Sequence, residues 1–271
     1  MIETLDGGQS FAWSQKESYL EGVFNQMLVR LKLEGSNLAI SVPKSYDMQA
    51  VYAHLSEYFA LDTDFKKIKN DLPWRSDPIL KTAMNAFPKL RILRQPLGDT
   101  LFGFLCSSTK QIPQIKEIVH LSSKYYGKEI LQGYHALPSW KTLSSLSEAN
   151  LRALKLGYRA RYIYQSAQHI NANPNLLLEL STLSTIEAKQ ALLNLPGIGS
   201  KIADCILLFA LSRLESFPID TWIEKILKKA YGLEGFSRKE LQSFAKAHFG
   251  EYAGYAQQFL FSAARSGDLK L

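Results

Sequence analysis

Cysteine is scarce in this chain: its 271 residues include two, Cys106 and Cys205. Neither stands in a Cys-x-x-Cys pair, which excludes a zinc finger, a disulfide framework and a four-cysteine iron–sulfur cluster. Nothing else in the sequence calls for a metal or a cofactor. No apolar run is long enough to span a membrane, and no segment has the form of a signal peptide. The chain therefore reads as intracellular, in a reducing compartment. Internal repeats and low-complexity stretches are also missing. The first hundred residues lack any charge excess, with 12 Lys/Arg against 12 Asp/Glu. Residues 101–271 carry 20 against 13, which supplies the whole net charge of +7. A phosphate-binding surface in that second part would have this bias, although a mildly basic solvated surface has it too.

What is present divides into two textures. Residues 9–43 favour strands at Phe11–Trp13, Tyr19–Phe24, Met27–Leu33 and Leu38–Val42, parted by turn-like points at Asn25 and Gly35-Ser36-Asn37. Helices are expected from about Met48. From about residue 100 the periodicity is helical, broken near Gly127, Pro138, Gly157, Pro174, Pro196, Pro218, Gly232 and Gly250. The expected fold is α+β, with a small N-terminal antiparallel sheet domain (residues 1–100, with some helices) packed on a larger all-helical domain (101–271). The cleft between them is the expected substrate site.

Residues 195–222 are the most informative stretch. Ser184-Thr-Ile-Glu187 fits a capping box, so a helix starts near Thr185. Pro196 ends it. Gly197 and Gly199 allow a tight turn and a close approach to a ligand. A second helix starts near Ser200, and its free N–H groups form an anion site. A helix–hairpin–helix of this kind holds a DNA phosphate without reading sequence. Lys201 lies on the first turn of the second helix. A free lysine has a pKa of about 10.4, so a nucleophilic one must be desolvated or held near other positive charge. Alone it reads as a phosphate contact. Asp220, nineteen positions on, follows Phe217-Pro218-Ile219 and is placed to cap a helix at Thr221, fixed in direction and ionised. Together the two suggest an enzyme acting on DNA, with Lys201 and Asp220 as its chemical pair.

This segment resembles the helix–hairpin–helix glycosylase superfamily, and within it the eukaryotic-type 8-oxoguanine DNA glycosylases. Six motifs in order carry the resemblance: Gly8-Gln-Ser-Phe-Ala-Trp13; Phe59-Ala-Leu-Asp62 with Leu93-Arg-Gln-Pro96; Phe104-Leu-Cys-Ser-Ser108; Gly157-Tyr-Arg-Ala-Arg-Tyr162; the hairpin itself; and Tyr252-Ala-Gly-Tyr-Ala-Gln257 running to Phe261. The resemblance implies action on double-stranded DNA that contains an oxidised guanine; the sequence suggests no oligomer, so a monomer is expected. A glycosylase must flip the nucleotide out of the duplex. Tyr158 suits the wedge that fills the gap, and Arg159 the contact to the orphaned base. Phe261 offers a stacking face and Gln257 an amide for the base edge, four residues apart on one helical face. The resemblance places Cys205 at the base pocket and gives the carbonyl of Gly8 the task of accepting from N7–H, the hydrogen that marks the oxidised base. Two departures stand out. Thr109-Lys-Gln111 replaces an asparagine run, and the family's downstream arginine is absent from Ile112-Pro-Gln114, so the opposite base is read more loosely, through Arg159. Trp222 stands where a histidine is usual.

The implied chemistry is covalent: Lys201 displaces the base, Asp220 steadies the developing sugar cation, and a Schiff base leads to strand nicking by β-elimination. Two alternatives remain open from the residues, namely a relative that excises another damaged base and a DNA-binding module without catalysis.

Overall fold

In the computed structural model, residues 1–35 and 37–269 are described. Ser36, part of the expected turn at 35–37, lies outside them. A short helix, α1 (Ile2–Asp6), leads into four strands: β1 (Trp13–Gln15), β2 (Leu20–Phe24), β3 (Met27–Glu34) and β4 (Asn37–Ser41). They form an antiparallel meander in sequence order. Asn25 and Gln26 both take positive φ at the β2–β3 hairpin, as the expected turn there requires. The strand expected at Phe11–Trp13 starts two residues later. Gln9 explains the shift, because its amide donates to the Arg91 carbonyl (2.8 Å) and accepts from the Leu93 N–H (2.9 Å). That pair of bonds draws residues 9–11 away from the sheet.

The helix α2 (Met48–Tyr58) begins where expected, capped by Asp47. It covers the sheet, and Trp13, Leu20, Val29, Leu31, Val51, Leu55 and Tyr58 make a core of their own. Trp13 is fully buried against Gly22, and its Nε1 donates to the Tyr58 hydroxyl at 2.9 Å. Next come α3 (Phe65–Asp71) and α4 (Pro78–Ala86). Ile68, Leu72, Leu80 and Ala83 on these two helices join the larger, helical core rather than the sheet's.

The helical body follows: α5 (Leu97–Leu105), α6 (Ile112–Tyr126), α7 (Trp140–Ser145), α8 (Glu148–Leu151), α9 (Arg159–Ala172), α10 (Leu176–Thr182), α11 (Thr185–Leu193), α12 (Ser200–Phe209), α13 (Thr221–Lys229), α14 (Arg238–Phe249) and α15 (Ala253–Ser266). This part is not wholly helical. Between α6 and α7, β5 (Glu129–Leu131) and β6 (Tyr134–His135) pair as a small hairpin. Its Tyr134 hydroxyl lies 3.2 Å from Glu21 and 3.1 Å from Arg30 of the main sheet, so the hairpin fastens the two parts together. Two residues suffice for each rung of such a ribbon, too few for an alternation to stand out in sequence. Asp99, in the first turn of α5, is mostly buried, and burial pushes its carboxyl up to about 6.

Candidate active site

The hairpin is built as its sequence requires. Ser184 and Glu187 complete a reciprocal capping box at the start of α11. That helix stops at Leu193, three residues before Pro196. Gly197 turns at φ +82°, and a Cβ there would lie 2.6 Å from the Tyr162 ring. The buried Ser166 hydroxyl donates to the Pro196 carbonyl at 3.1 Å, tying the turn to α9. Gly199 caps α12 without a side-chain bond, and a Cβ placed on it meets nothing within 4 Å. The first-turn N–H groups of α12 are therefore open to an anion. One turn into α12, buried Asp204 pairs with Lys189 of α11 (2.6 Å) and accepts from Gln242 of α14 (3.2 Å). This locks three helices behind the hairpin.

Lys201 leaves the hairpin half-buried. Its Nζ lies 3.4 Å from the Ser107 hydroxyl and 5.3 Å from the centroid of the Phe104 ring. Asp220 caps α13, its carboxylate accepting from the Ile223 N–H at 2.8 Å. Burial raises the Asp220 carboxyl above the ordinary aspartate value, against the pull of that N–H and of the nearby Lys201 charge. Burial thus opposes the ready ionisation expected from capping alone. Both side chains line one cavity of about 730 Å³.

The same cavity is lined by Gly8, Cys205, Gln257 and Phe261. Residues near the two ends of the sequence meet here. Gly8 sits at φ +103°, and a Cβ there would lie 2.8 Å from Ile112 Cδ1 and 3.5 Å from Phe261 Cε1. Gln9 holds the next peptide, its carbonyl accepting from the Gln95 amide at 2.6 Å. Gln257 is buried, and its Oε1 has no hydrogen-bond partner. Burial pushes the Cys205 thiol up to about 12, so it stays protonated and acts as an apolar wall. Cys106 is buried and raised in the same way.

Tyr158 and Arg159 stand apart from this cavity. A π-helical turn over Arg152–Leu156 and Gly157 at φ +59° break the path into α9. Such irregular turns recur at functional sites. They leave Tyr158 50% exposed, with its ring 6.2 Å from that of Tyr162. Arg159 is instead buried, at 4% exposure. Its guanidinium donates to the Ser108 carbonyl (2.8 Å), the Leu156 carbonyl (3.2 Å) and the Thr109 hydroxyl (2.6 Å). With these donors engaged, Arg159 braces the 107–111 loop in this state and does not face outward as its sequence position had implied. The reason is long-range: the loop it fills comes from fifty residues away, and Thr109 there takes φ +54°.

Two residues of the site, Ser107 and Gln258, were not singled out from sequence, and a third, Trp222, stood out only as a departure from the usual histidine. Ser107 contacts the Lys201 amine. Trp222, 41% exposed, stands on the cavity wall beside Asp220. Gln258 lines the cavity next to Gln257. The paired glutamines were the only signal available for the last. Among the described residues, no group of three or more His, Cys, Asp or Glu side chains could hold a metal ion. No described helix is long and apolar enough to cross a membrane.

Comparisons with known proteins agree over almost the whole chain. Residues 1–101 match the family described as 8-oxoguanine DNA glycosylase, N-terminal domain. The chain is 30% identical to the N-glycosylase/DNA lyase OGG1 of Arabidopsis thaliana over 279 residues, spanning 96% of this chain and 76% of that one. It is 28% identical to the N-glycosylase/DNA lyase of Saccharomyces cerevisiae over 323 residues, spanning 98% and 84%. Among solved structures, it is similar to the Clostridium acetobutylicum 8-oxoguanine glycosylase/lyase bound to double-stranded DNA with cytosine opposite 8-oxoG. That likeness has a TM-score of 0.91 and 29% identity over 99% of this chain and 92% of that one. It is similar as well to MBOgg1 in complex with a low-affinity DNA ligand, with a TM-score of 0.92 and 33% identity over 98% and 92%. An Archaeoglobus fulgidus 3-methyladenine DNA glycosylase, 17% identical with a TM-score of 0.76, shares the fold.

Proposed function

Because the chain belongs to the 8-oxoguanine DNA glycosylase/lyase family, we propose a division of labour among its residues for that reaction. The protein is a bifunctional repair enzyme that binds double-stranded DNA, excises 8-oxoguanine and cleaves the strand at the abasic site. The observation that carries the assignment of roles is the convergence of Lys201 and Asp220 on the cavity that Gly8, Gln257 and Phe261 line.

The hairpin glycines Gly197 and Gly199 let the N-terminus of α12 hold a backbone phosphate. Tyr158 enters the stack in place of the flipped base. Phe261 supplies the stacking face and Gln257 pairs with the Watson–Crick edge. The Gly8 carbonyl accepts from N7–H, which guanine lacks. Lys201, as a neutral amine, attacks C1′. The N9–C1′ bond breaks, and the base leaves with the electron pair and takes up a proton shed by the lysine nitrogen. Asp220 carries negative charge toward the sugar as positive charge builds there, in a site with little water. Ring opening of the sugar gives a protonated Schiff base. Loss of a C2′ proton then expels the 3′ phosphate by β-elimination, and water releases the lysine.

Reading of the opposite base falls to Arg159 only after it gives up its bonds to Ser108 and Thr109. No asparagine run or downstream arginine backs it, so discrimination there is loose. We read residues 1–100 as the sheet-bearing unit and 101–271 as the helical unit, with α3 and α4 buttressing α15. The enzyme acts within the cell, as a monomer, wherever the DNA is held.

The test is a duplex carrying one 8-oxoguanine opposite cytosine, incubated with the protein and borohydride beside an undamaged duplex. A covalent adduct only on the lesion, lost in Lys201→Gln, supports both substrate and nucleophile. An adduct that survives in Lys201→Gln overturns the assignment of the lysine.

A further inference from the structure

Among the described residues, five buried side-chain polar atoms have no hydrogen-bond partner, and three of them lie on α15: Gln257 Oε1, Gln258 Nε2 and Ser262 Oγ. A buried donor or acceptor left unpaired lowers stability, so such atoms are rare. A cluster of them on one helix, two of the three lining one cavity, is explained when a ligand supplies the missing partners. Gln257 already has that role. Gln258 has the same credentials: it is 2% exposed, it lines the cavity beside Phe261 and Asp220, and no protein group bonds its amide nitrogen. The neighbouring Phe259 and Leu260 of α15 are fully buried and apolar. A fold that needed only a filler beside Phe259 would do better with a hydrocarbon.

We propose that Gln258 is a second base-reading side chain, whose amide donates to an exocyclic carbonyl oxygen of the flipped, oxidised purine. The inference rests on the reading of this cavity as the base pocket. Adjacent positions on a helix project about 100° apart, so Gln257 and Gln258 approach the base from two directions. Two amides so placed fix the base in its plane, while Phe261 fixes it from the face. An 8-oxoguanine carries two carbonyl oxygens, one on the six-membered ring and one at C8, and each is an acceptor. An amide can turn its donor end to either.

The test is Gln258→Met, which keeps the volume and removes the amide. Three readings are taken: thermal stability, excision of 8-oxoguanine under single-turnover conditions, and cleavage of a preformed abasic site. The abasic substrate has no base to read, so it reports Lys201 and the DNA clamp alone. The expected result is a Tm raised by about 2–4 °C on removing the unpaired donor. Excision falls about tenfold, the net worth of one hydrogen bond, with abasic-site cleavage within twofold of the wild type. Excision within twofold of the wild type would overturn the inference, and so would a parallel fall in excision and abasic-site cleavage. If the wild type itself neither excises 8-oxoguanine nor forms a borohydride adduct, the reading of the cavity fails instead, and the two failures are told apart.

Discussion

Replacing Gly8 with alanine tests the damage-reading role of a backbone atom. Gly8 is at φ +103°, where an L-residue is strained by roughly 1–2 kcal/mol or more. The new methyl would also sit 2.8 Å from Ile112 Cδ1. That atom is the end of a flexible side chain and can move a few tenths of an ångström, so the clash is minor. The strain is harder to relieve. Gln9 is held by bonds to Arg91, Leu93 and Gln95 of 2.8, 2.9 and 2.6 Å, which pin the far side of the Gly8–Gln9 peptide. Rotation at residue 8 therefore falls on its own carbonyl, which would turn away from the place proposed for N7–H. Losing that one acceptor leaves a buried N7–H unpaired, worth about 1–3 kcal/mol. At about 1.4 kcal/mol per factor of ten, excision of 8-oxoguanine should fall roughly 5- to 150-fold. Single-turnover excision on a lesion duplex measures this, with cleavage of a preformed abasic duplex as the control that should hardly change. If Gly8→Ala melts lower, as the strain requires, yet excises within twofold of the wild type, the Gly8 carbonyl is not the atom that recognises the lesion.

Asp220→Asn should keep the cap on Ile223 and the fold, while single-turnover excision drops by two or more orders of magnitude, because an amide cannot supply the fixed negative charge. Asp99 carries a pH prediction. Its folded-state pKa of about 6 lies above the unfolded value of 3.8, so it favours the folded state below pH 3.8 and that advantage is lost as pH rises through 6. Asp99→Asn should therefore melt higher than the wild type at pH 7.5, by up to roughly 3 kcal/mol, and converge with it near pH 4. Equal melting curves at both pH values would refute this. Tyr158→Ala should lower excision from duplex DNA without shifting Tm, since the ring is half exposed. Arg159→Ala should lower Tm by several degrees, because the Ser108 and Leu156 carbonyls lose their donor. Scanning calorimetry on the pair checks the contrast.

The elements legible in sequence were those whose signals are local. The Ser184 capping box, the Gly197 turn and the Asp220 cap each depend on a few neighbouring residues, and each forms where the motif stood. The sheet with its Asn25 turn and the start of α2 at Met48 were legible for the same reason. What escaped depends on distant partners. The start of β1 slid because Gln9 is claimed by residues 91–95. The β5–β6 hairpin is too short to show a pattern and is fastened through Tyr134 to Glu21 and Arg30. Arg159 turned inward because the 107–111 loop needed its donors. Nothing local brings Gly8 to Phe261; that juxtaposition came only through the family resemblance. Gln258 was hidden because a glutamine beside Gln257 in an apolar helix carries no sign of whether its own amide finds a partner.

The meeting of Gly8 with Phe261 has a counterpart in the ion pair between Glu3 and Arg265, which are 262 positions apart. The cavity is therefore assembled from both ends of the described chain. Residues up to α13 supply the hairpin, Lys201 and Asp220, but the wall at Gln257, Gln258 and Phe261 comes only with α15. A chain cut between α13 and α14 would keep the first set and lose the second, and the segment around Gly8 would face no partner helix.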